Sequence, residues 1–234
     1  MLKSIKKIYH WLKGDYVFIK KQITCHSKWY GSLYGGFFLY PDILSERAIV
    51  YSFGIGEDIT FDTEIINQHR CRVFGFDPTP KSINWISNQK LPTEFTFCPY
   101  GIDVKSGEVK FFLPKNKEHV SGSTIQNKNI DSESHINVKM KSFDDIVAEH
   151  NHSKVDVLKM DIEGSEYKLL PYILNSKIEI GQILIEFHHR MIEGGGELTT
   201  NAIKLLNDSG YEIFAVSDSA EEISFLKKEL VLQR

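Results

Sequence analysis

Two carboxylates, Asp161 and Glu163, directly follow a mostly apolar run at Val155–Met160. This run is typical of a buried strand, and the residues after Gly164 and Glu166 carry apolar side chains at helical spacing. Open α/β sheets often form their sites where a strand delivers polar groups and a helix begins. Paired carboxylates at such a place can accept protons or hold a metal ion.

A second candidate group follows another apolar strand, Gly181–Phe187, which contains Glu186 and leads into His188. Histidine has an ordinary pKa near neutrality, so His188 is a candidate general base, with Asp161 and Glu163 as alternatives. Another interpretation is a divalent metal site made of Asp161, Glu186 and His188, whose oxygen ligands favour Mg²⁺ or Ca²⁺. A structural role for His188, and helix-terminal charge stabilisation for the acids, are also compatible with the sequence.

A glycine turn with Gly54, Gly56 and Glu57 separates a predicted strand, Ala48–Phe53, from a predicted helix, Ile59–His69. Glycine is suited to positions where the backbone approaches a ligand or takes a positive φ. The dinucleotide pattern G-x-G-x-x-G needs a third glycine at position 59, where an isoleucine stands. The turn therefore disfavours an NAD or FAD enzyme and is compatible with a nucleoside ligand that lacks a pyrophosphate.

Asp77 ends the next predicted strand, Cys71–Phe76. An acid at this interval after a glycine turn is placed to accept hydrogen bonds from ribose hydroxyls. Thr79 and Pro80 already provide an N-cap and a first-turn residue for a helix over Lys81–Ser87. We therefore expect the Asp77 carboxylate to be free for a ligand.

Strands that alternate with helices predict an α/β fold, a doubly wound and mostly parallel sheet with helices on both faces. The two strands that end in the glycine turn and in the acids should lie side by side, with the site in the crevice above them. Tyr211–Val216 and Ile223–Leu226 predict an antiparallel pair at the edge of the sheet. Gly194–Gly196 predicts a flexible segment before a helix at Leu198–Asp208.

Two domains are predicted: residues 1–45, a basic helix followed by an irregular, packed connector rich in aromatic residues and glycine, and residues 46–234, which carry the α/β sheet. The basic helix either packs on the domain or contacts an anionic membrane surface.

Asp103–Gly107 predicts a hairpin turn into a strand at Glu108–Leu113. The polar segment Pro114–Ser134 predicts a disordered loop or a lid.

The composition of the 234 residues is that of an ordinary globular protein. A net charge of −3 argues against a dedicated nucleic-acid binder. Three scattered cysteines match neither a disulfide framework nor a metal-ligand spacing, and they favour a reducing cytoplasm. No apolar run is long enough for a transmembrane segment.

Four segments resemble the FkbM-type family of S-adenosylmethionine-dependent methyltransferases, within the Rossmann-like class I methyltransferases. The segments are VYSFGIGEDITFD (50–62), VFGFDPTP (73–80), VDVLKMDIEGSEY (155–167) and ILIEFHHR (183–190). They stand in family order, and the LKMDIEGSEY block is the specific part. The resemblance implies a seven-stranded sheet, S-adenosylmethionine as cofactor and O-methylation, often of a sugar hydroxyl in a glycan or glycosylated metabolite.

Carried over to this chain, the resemblance places the glycine turn with Gly54, Gly56 and Glu57 against the methionine part of the cofactor. It further implies that Asp77 faces the ribose and Ile102 borders the adenine. Asp161 and Glu163 would lie near the methyl group and the acceptor. Ser52 and Asp58 depart from the general class, where an acid and a third glycine are frequent.

Two rival functions are compatible with the same elements. The first is an NAD-dependent oxidoreductase or epimerase, which Ile59 disfavours. The second is a non-catalytic glycan-binding module that keeps the fold, which the intact acids disfavour. Binding of S-adenosylhomocysteine rather than NAD separates the first rival from a methyltransferase, and methyl transfer separates the second.

Overall fold

The computed structural model describes residues 17–114 and 130–231. The described strands are β1 (Lys28–Tyr30), β2 (Phe37–Leu39), β3 (Ile49–Phe53), β4 (Arg72–Phe76), β5 (Phe95–Cys98), β6 (Gly101–Ile102), β7 (Gly107–Pro114), β8 (Ile130–Lys141), β9 (Lys154–Met160), β10 (Glu179–Glu186), β11 (Tyr211–Val216) and β12 (Glu222–Lys227). The described α-helices are α1 (Thr60–His69), α2 (Pro80–Ile86), α3 (Phe143–Glu149), α4 (Glu166–Leu174) and α5 (Gly195–Asp208).

Seven strands form the central sheet in the order β11-β12-β10-β9-β3-β4-β5. The run from β10 to β5 is parallel, so the predicted doubly wound sheet is confirmed. The predicted antiparallel pair lies at the edge, and the strand that runs against the others is β12, which is inserted between β10 and β11. β3 and β9 are neighbours, as predicted, so the glycine turn and the acids follow adjacent strands.

Strand β3 explains how the sheet is buried on both faces, because all five of its residues are buried. Tyr51 and Phe53 pack on one face with residues of α3, α4 and α5, whereas Val50 packs on the other with residues of α1 and α2. This alternation follows from the period of two in a strand. The aromatic pair Phe53 and Phe76 stacks directly beneath the strand ends, with ring centroids 4.4 Å apart.

The segment before β3 forms an antiparallel β1–β2 hairpin rather than an irregular connector. It packs on the sheet, as predicted, because the Tyr40 amide donates to Gln182 (2.8 Å) and Ser224 donates to the Phe38 carbonyl (2.7 Å). The buried Phe37 and Leu39 join the core on the α1 face. The basic helix predicted for the first residues lies outside the described range, and the division into 1–45 and 46–234 stays a prediction.

A second, three-stranded sheet has the order β6-β8-β7, which corrects the predicted hairpin around Asp103–Gly107. β6 and β7 do not pair with each other, since both contact β8: Gly101 and Gly107 lie on either side of Met140. β8 begins at Ile130, so the last residues of the predicted loop belong to a strand. The predicted lid residues 115–129 lie outside the described range.

Helix α5 begins at Gly195, within the segment predicted to be flexible. Gly195 is buried, and a Cβ there would stand 2.2 Å from the His189 carbonyl oxygen. Only glycine permits that close approach, so tertiary packing overrides the low helix propensity of glycine. Among the described residues, no helix is both long and apolar enough to cross a bilayer.

Candidate active site

A cleft of about 410 Å³ opens at the carboxyl ends of β3, β4 and β9. Its volume falls in the range of small-molecule sites, which is about 300–1,000 Å³. Seven of the residues predicted for the cofactor or for catalysis line this cleft: Gly54, Gly56, Glu57, Asp77, Ile102, Asp161 and Glu163. The topology thus brings residues more than 100 positions apart to one edge of the sheet.

The glycine turn has two glycines with different structural reasons. Gly54 has φ +76°, and a Cβ there would stand 1.7 Å from the Asp161 carbonyl oxygen, so β9 approaches too closely for any side chain. Gly56 has φ +53°, and nothing lies within 4 Å of its Cβ position. Gly56 therefore presents bare backbone to the open cleft, which is the property that a bound ligand requires of such a turn.

The Asp77 carboxylate is 5% exposed and is not free, which corrects the prediction. Its Oδ2 accepts a hydrogen bond from the Gly56 amide (3.0 Å), and its Oδ1 accepts from the Thr79 amide (2.9 Å) and hydroxyl (2.6 Å). Thr79 also caps α2, as predicted, by accepting from the Ser82 amide. Burial raises the pKa of Asp77, and these hydrogen bonds oppose that shift. Asp77 therefore holds the glycine turn against the start of α2.

Asp58, one of the two departures from the family resemblance, has a defined structural role. Its Oδ1 accepts from the Thr60 amide (2.7 Å) and its Oδ2 from the Ser32 hydroxyl (2.7 Å). Although burial acts to raise the pKa of Asp58, the hydrogen bonds from Ser32 and Thr60 bring it below the usual value. Asp58 thus ties the β1–β2 hairpin to the start of α1.

The turn after β9 is set by backbone constraints. The Asp161 amide donates to the Phe53 carbonyl (3.1 Å), which holds the acid beside the end of β3. Glu163 has φ +54°, a conformation that costs a non-glycine residue on the order of 1–3 kcal/mol. Gly164 has φ +99°, and a Cβ there would stand 2.8 Å from Ile192. From this turn the Glu163 side chain lines the cleft.

Four carboxylates surround the buried imidazole of His188, and we call this group the acid cluster: Asp161, Glu163, Glu166 and Glu186 with His188. Nδ1 of His188 lies 2.5 Å from Glu166, which also accepts from the His188 amide (3.3 Å). Nε2 lies 3.5 Å from Glu163, 3.7 Å from Asp161 and 3.8 Å from Glu186. His188 therefore lies behind the two acids that line the cleft.

The expected ordinary pKa of His188 is wrong for this environment. Burial acts to lower it, but Glu166, Asp161 and Glu163 raise the pKa of His188 well above its usual value. Burial, reinforced by Asp161, raises the pKa of Glu186 to about 9. Both shifts favour the protonated forms of His188 and Glu186, and an imidazolium cannot accept a proton.

Glu166 follows Asp161 and Glu163 in the sequence, but no catalytic, cofactor or metal role was predicted for it. It is fully buried in the first turn of α4, and its Oε2 has no hydrogen-bond partner within the described chain. Helix-terminal charge stabilisation is the interpretation that its position in the sequence favours. Its contact with His188, 22 residues away, follows only from the packing of α4 beside β10.

Asp161, Glu186 and His188 offer three ligand atoms that all lie within 4.8 Å of one another. The structure thus brings together the three residues predicted as a metal site. Two carboxylate oxygens and one imidazole nitrogen form a donor set that suits a divalent cation such as Mg²⁺ or Mn²⁺. Because Nδ1 of His188 is engaged by Glu166, Nε2 is the nitrogen available to such an ion.

Lys159 was not predicted as a site residue from the sequence. It is the one basic side chain among the described residues that line the cleft. It is 3% exposed, and its Nζ donates to the Gly54 carbonyl (3.3 Å) and lies 5.3 Å from the centre of the Phe37 ring. A lysine in the buried end of a mostly apolar strand is the sequence signal that points to it, since buried lysines require partners.

The family model described as "Methyltransferase FkbM domain" matches residues 46–213. The human protein named "Probable methyltransferase-like protein 24" is 25% identical over 217 residues, which cover 88% of this chain and 52% of the human protein. The chain therefore spans about half the length of that relative. "Hexuronic acid methyltransferase AglP" of Haloferax volcanii is 23% identical over 176 residues, covering 67% of this chain and 70% of AglP.

Among solved structures, the fibrillarin pre-rRNA processing protein of Methanococcus jannaschii superposes with a TM-score of 0.47 and 12% sequence identity. The superposition covers 79% of this chain and 68% of that protein.

Proposed function

Because the chain belongs to the FkbM methyltransferase family, we propose that it transfers the methyl group of S-adenosylmethionine to a hydroxyl oxygen of a sugar. The observation that carries the proposal is the cleft in which the glycine turn and the two acids that follow β9 face the same space. A cofactor held on one side and a hydroxyl held on the other is the arrangement that direct group transfer requires.

The cofactor residues of the proposal are Gly54, Gly56, Glu57, Asp77 and Ile102. Gly56 fits this use because no atom occupies the space where a Cβ would stand. Asp77 keeps acceptor capacity beside its bonds to Gly56 and Thr79, since an ionised carboxylate has about four lone-pair sites. The sulfonium of the bound cofactor supplies an activated methyl group, so the protein needs only to align the acceptor oxygen and remove its proton.

Glu163 is the proposed proton acceptor. It lines the cleft, stands on a strained backbone and lies outside the set of three metal ligands. In the absence of a bound cation, the His188 imidazolium behind it is held by Glu166 and balances the negative charge of the neighbouring acids. Asp161, which also lines the cleft, is placed to orient the acceptor hydroxyl.

A divalent cation on Asp161, Glu186 and His188 is a further part of the proposal. Such an ion lowers the pKa of a hydroxyl that it binds. The acid cluster favours a cation because four carboxylates share one imidazole. Binding would require Glu186 and His188 Nε2 to lose their protons, so we expect the affinity for Mg²⁺ or Mn²⁺ to rise with pH.

A sugar acceptor is supported by the named activity of the relative from Haloferax volcanii, the hexuronic acid methyltransferase. It is also supported by the acids of the cleft, since carboxylates are strong acceptors for sugar hydroxyls. Among the described residues that line the cleft, acids such as Glu57 and Asp58 outnumber the single basic residue, Lys159. This negative charge favours a neutral sugar ring over an anionic one.

The test is transfer of isotopically labelled methyl from S-adenosylmethionine to a panel of neutral and uronic glycosides, followed by mass spectrometry. We expect a product heavier by one labelled methyl group, and a rate that falls after chelation if a cation takes part. Binding of S-adenosylhomocysteine without transfer to any glycoside would favour the non-catalytic module. Binding of NAD in place of S-adenosylhomocysteine would contradict the proposal.

A further inference from the structure

We infer that the turn of the β1–β2 hairpin, residues 31–36, is the platform on which the pyranose ring of the acceptor stacks, with Tyr34 as the contacting ring. This inference rests on the proposed function and extends it to a residue far from the methyltransferase motifs. Tyr34 is an exposed aromatic side chain at the mouth of the cleft.

The tip of this turn presents two large apolar side chains to solvent. Leu33 is 89% exposed and Tyr34 is 90% exposed, although hydrophobic residues elsewhere in the hairpin, such as Phe37 and Leu39, are fully buried. Tyr34 and Gly35 also line the cleft that holds the glycine turn and the acids. Exposed apolar groups that border a cleft commonly mark a binding surface.

The turn is rigid in spite of its exposure. Its Ser32 hydroxyl donates to Asp58 (2.7 Å) and accepts from the Tyr34 and Gly35 amides (3.2 and 3.0 Å). The Ser32 amide donates to the Thr60 hydroxyl (2.8 Å), and the Trp29 indole donates to the Ser32 carbonyl (3.0 Å). Such a turn fixes the backbone of Tyr34 before a ligand arrives, so little backbone entropy is lost on binding.

Further hydrogen bonding and glycine packing fix the base of the turn. The Gly31 amide donates to Glu64 of α1 (2.9 Å). A Cβ at Gly31 would stand 2.9 Å from the Phe61 amide, and one at Gly36 would stand 2.4 Å from the Ser32 carbonyl oxygen. The hairpin is therefore seated directly on the start of α1, next to the glycine turn, and cannot rotate away without loss of these contacts.

The chemistry of the surroundings favours a sugar ring as the occupant. A pyranose has an apolar C–H face, which suits an aromatic ring, and hydroxyls at its edge, which suit the carboxylates of Asp161 and Glu163. An adenine ring has a separate apolar wall available, formed by Ile102, Phe111 and Met140 around the three-stranded sheet. Tyr34 is thus left for the acceptor.

The experiment compares Tyr34→Ala, Tyr34→Phe and the matched control Tyr172→Ala in the full chain. Tyr172 is an exposed tyrosine of α4 (59%) that does not line the cleft. The probes are a neutral methyl pyranoside, its uronic acid analogue and S-adenosylhomocysteine. Saturation-transfer NMR on the cofactor-loaded protein measures sugar binding, calorimetry measures cofactor binding, and the transfer assay gives KM and kcat.

For Tyr34→Ala we expect a loss of sugar affinity and a rise in KM of roughly tenfold, with cofactor affinity unchanged within about twofold. Tyr34→Phe should keep the affinity because the ring remains, and Tyr172→Ala should have no effect. The neutral and uronic probes show which form of the ring the platform takes. Since Tyr34 is almost fully exposed, we expect all three variants to fold.

An unchanged sugar affinity and KM in Tyr34→Ala would overturn the inference, as would an equal loss of cofactor affinity, which would assign the ring to S-adenosylmethionine. If the wild-type chain binds sugars through Tyr34 without methyl transfer, the platform is supported and the proposed function fails. If transfer occurs and Tyr34 has no influence, the proposed function stands and the platform fails. A wild-type chain that binds neither sugar overturns both.

Discussion

The two sides of the cleft hold their acids in opposite ways. On the glycine-turn side, both oxygens of Asp77 accept hydrogen bonds from neutral donors of Gly56 and Thr79. In the acid cluster, four carboxylates share the imidazole of His188. In the first arrangement protein donors already hold the carboxylate in place, which is suited to rigid recognition of a ligand. The second has an excess of negative charge, and it is suited to proton transfer and cation binding.

We expect the largest effect from removal of the proposed base, which belongs to the acid cluster and not to the glycine-turn side. Glu163→Gln keeps the shape of the side chain but cannot accept a proton, so kcat should fall on the order of 10²–10⁴-fold. Affinity for S-adenosylhomocysteine should stay within about threefold. Glu193→Gln, an exposed position outside the cleft, is the control. A Glu163→Gln enzyme with normal kcat would assign the proton to another group.

The glycine-turn side is tested by Asp77→Ala. This change removes a charged acceptor and leaves the Gly56 and Thr79 donors unpaired. We expect a loss of about 2 kcal/mol in the free energy of S-adenosylmethionine binding, which is on the order of 30-fold in affinity. Equilibrium dialysis with labelled cofactor measures the change. Asp77→Asn, which retains one acceptor oxygen, should lose less. Equal affinities for the wild type and Asp77→Ala would remove Asp77 from the cofactor site.

Glu166 sharpens the comparison because its hydrogen bonds within the acid cluster are to His188. Glu166→Gln keeps the volume but removes the charge that orients Nδ1, so we expect a loss of roughly tenfold in Mn²⁺ affinity and in kcat. The optimum of the pH–rate profile should also shift. A purely structural role would lower stability and leave the pH profile and the Mn²⁺ affinity unchanged.

The smallest expected effect concerns stability and pH. Burial and Asp161 raise the pKa of Glu186 from 4.5 to about 9, so the unfolded chain releases this proton first as pH rises. The contribution of Glu186 to the free energy of unfolding is fully present below about pH 4.5 and is lost progressively up to about pH 9. The raised pKa of His188 acts in the same direction, since that contribution is lost as pH rises through the folded value.

Glu186→Gln removes this dependence, because glutamine stays neutral at every pH. Thermal unfolding should show a Tm higher than that of the wild type by roughly 3 °C at pH 8, with a smaller difference at pH 5. The exposed Glu46→Gln is the control. A Tm difference that grows toward low pH would contradict the direction of the Glu186 shift.

The sequence predicted the central sheet well because its signals are local. The apolar run of β9, its terminal acids and the glycine turn after β3 each lie within a few residues, and parallel pairing then brings them together. The three-stranded sheet was missed because β8 joins partners on both sides through pairings that no turn signal marks. Gly195 was misread because its close contact with His189 is visible only in the folded chain.

The candidate site also has features that the sequence predicts and features that only the fold reveals. Six of the lining residues were predicted because each follows the end of a strand: Gly54, Gly56, Glu57, Asp77, Asp161 and Glu163. What the sequence did not reveal is how the acids are partnered: Asp77 is engaged by an amide 21 positions away, and Glu166 orients an imidazole 22 positions away. Both contacts depend on the distance between strand ends, which residue types alone do not define.

The most direct test of this division is the rate of methyl transfer at saturating S-adenosylmethionine, measured for Asp77→Ala and Glu163→Gln with the same sugar acceptor. If the glycine-turn side serves binding and the acid cluster serves chemistry, saturation should restore Asp77→Ala to within a few-fold of the wild-type rate. Glu163→Gln should stay at least about 100-fold slower at any cofactor concentration. Recovery of both variants at saturation, or of neither, would contradict the account.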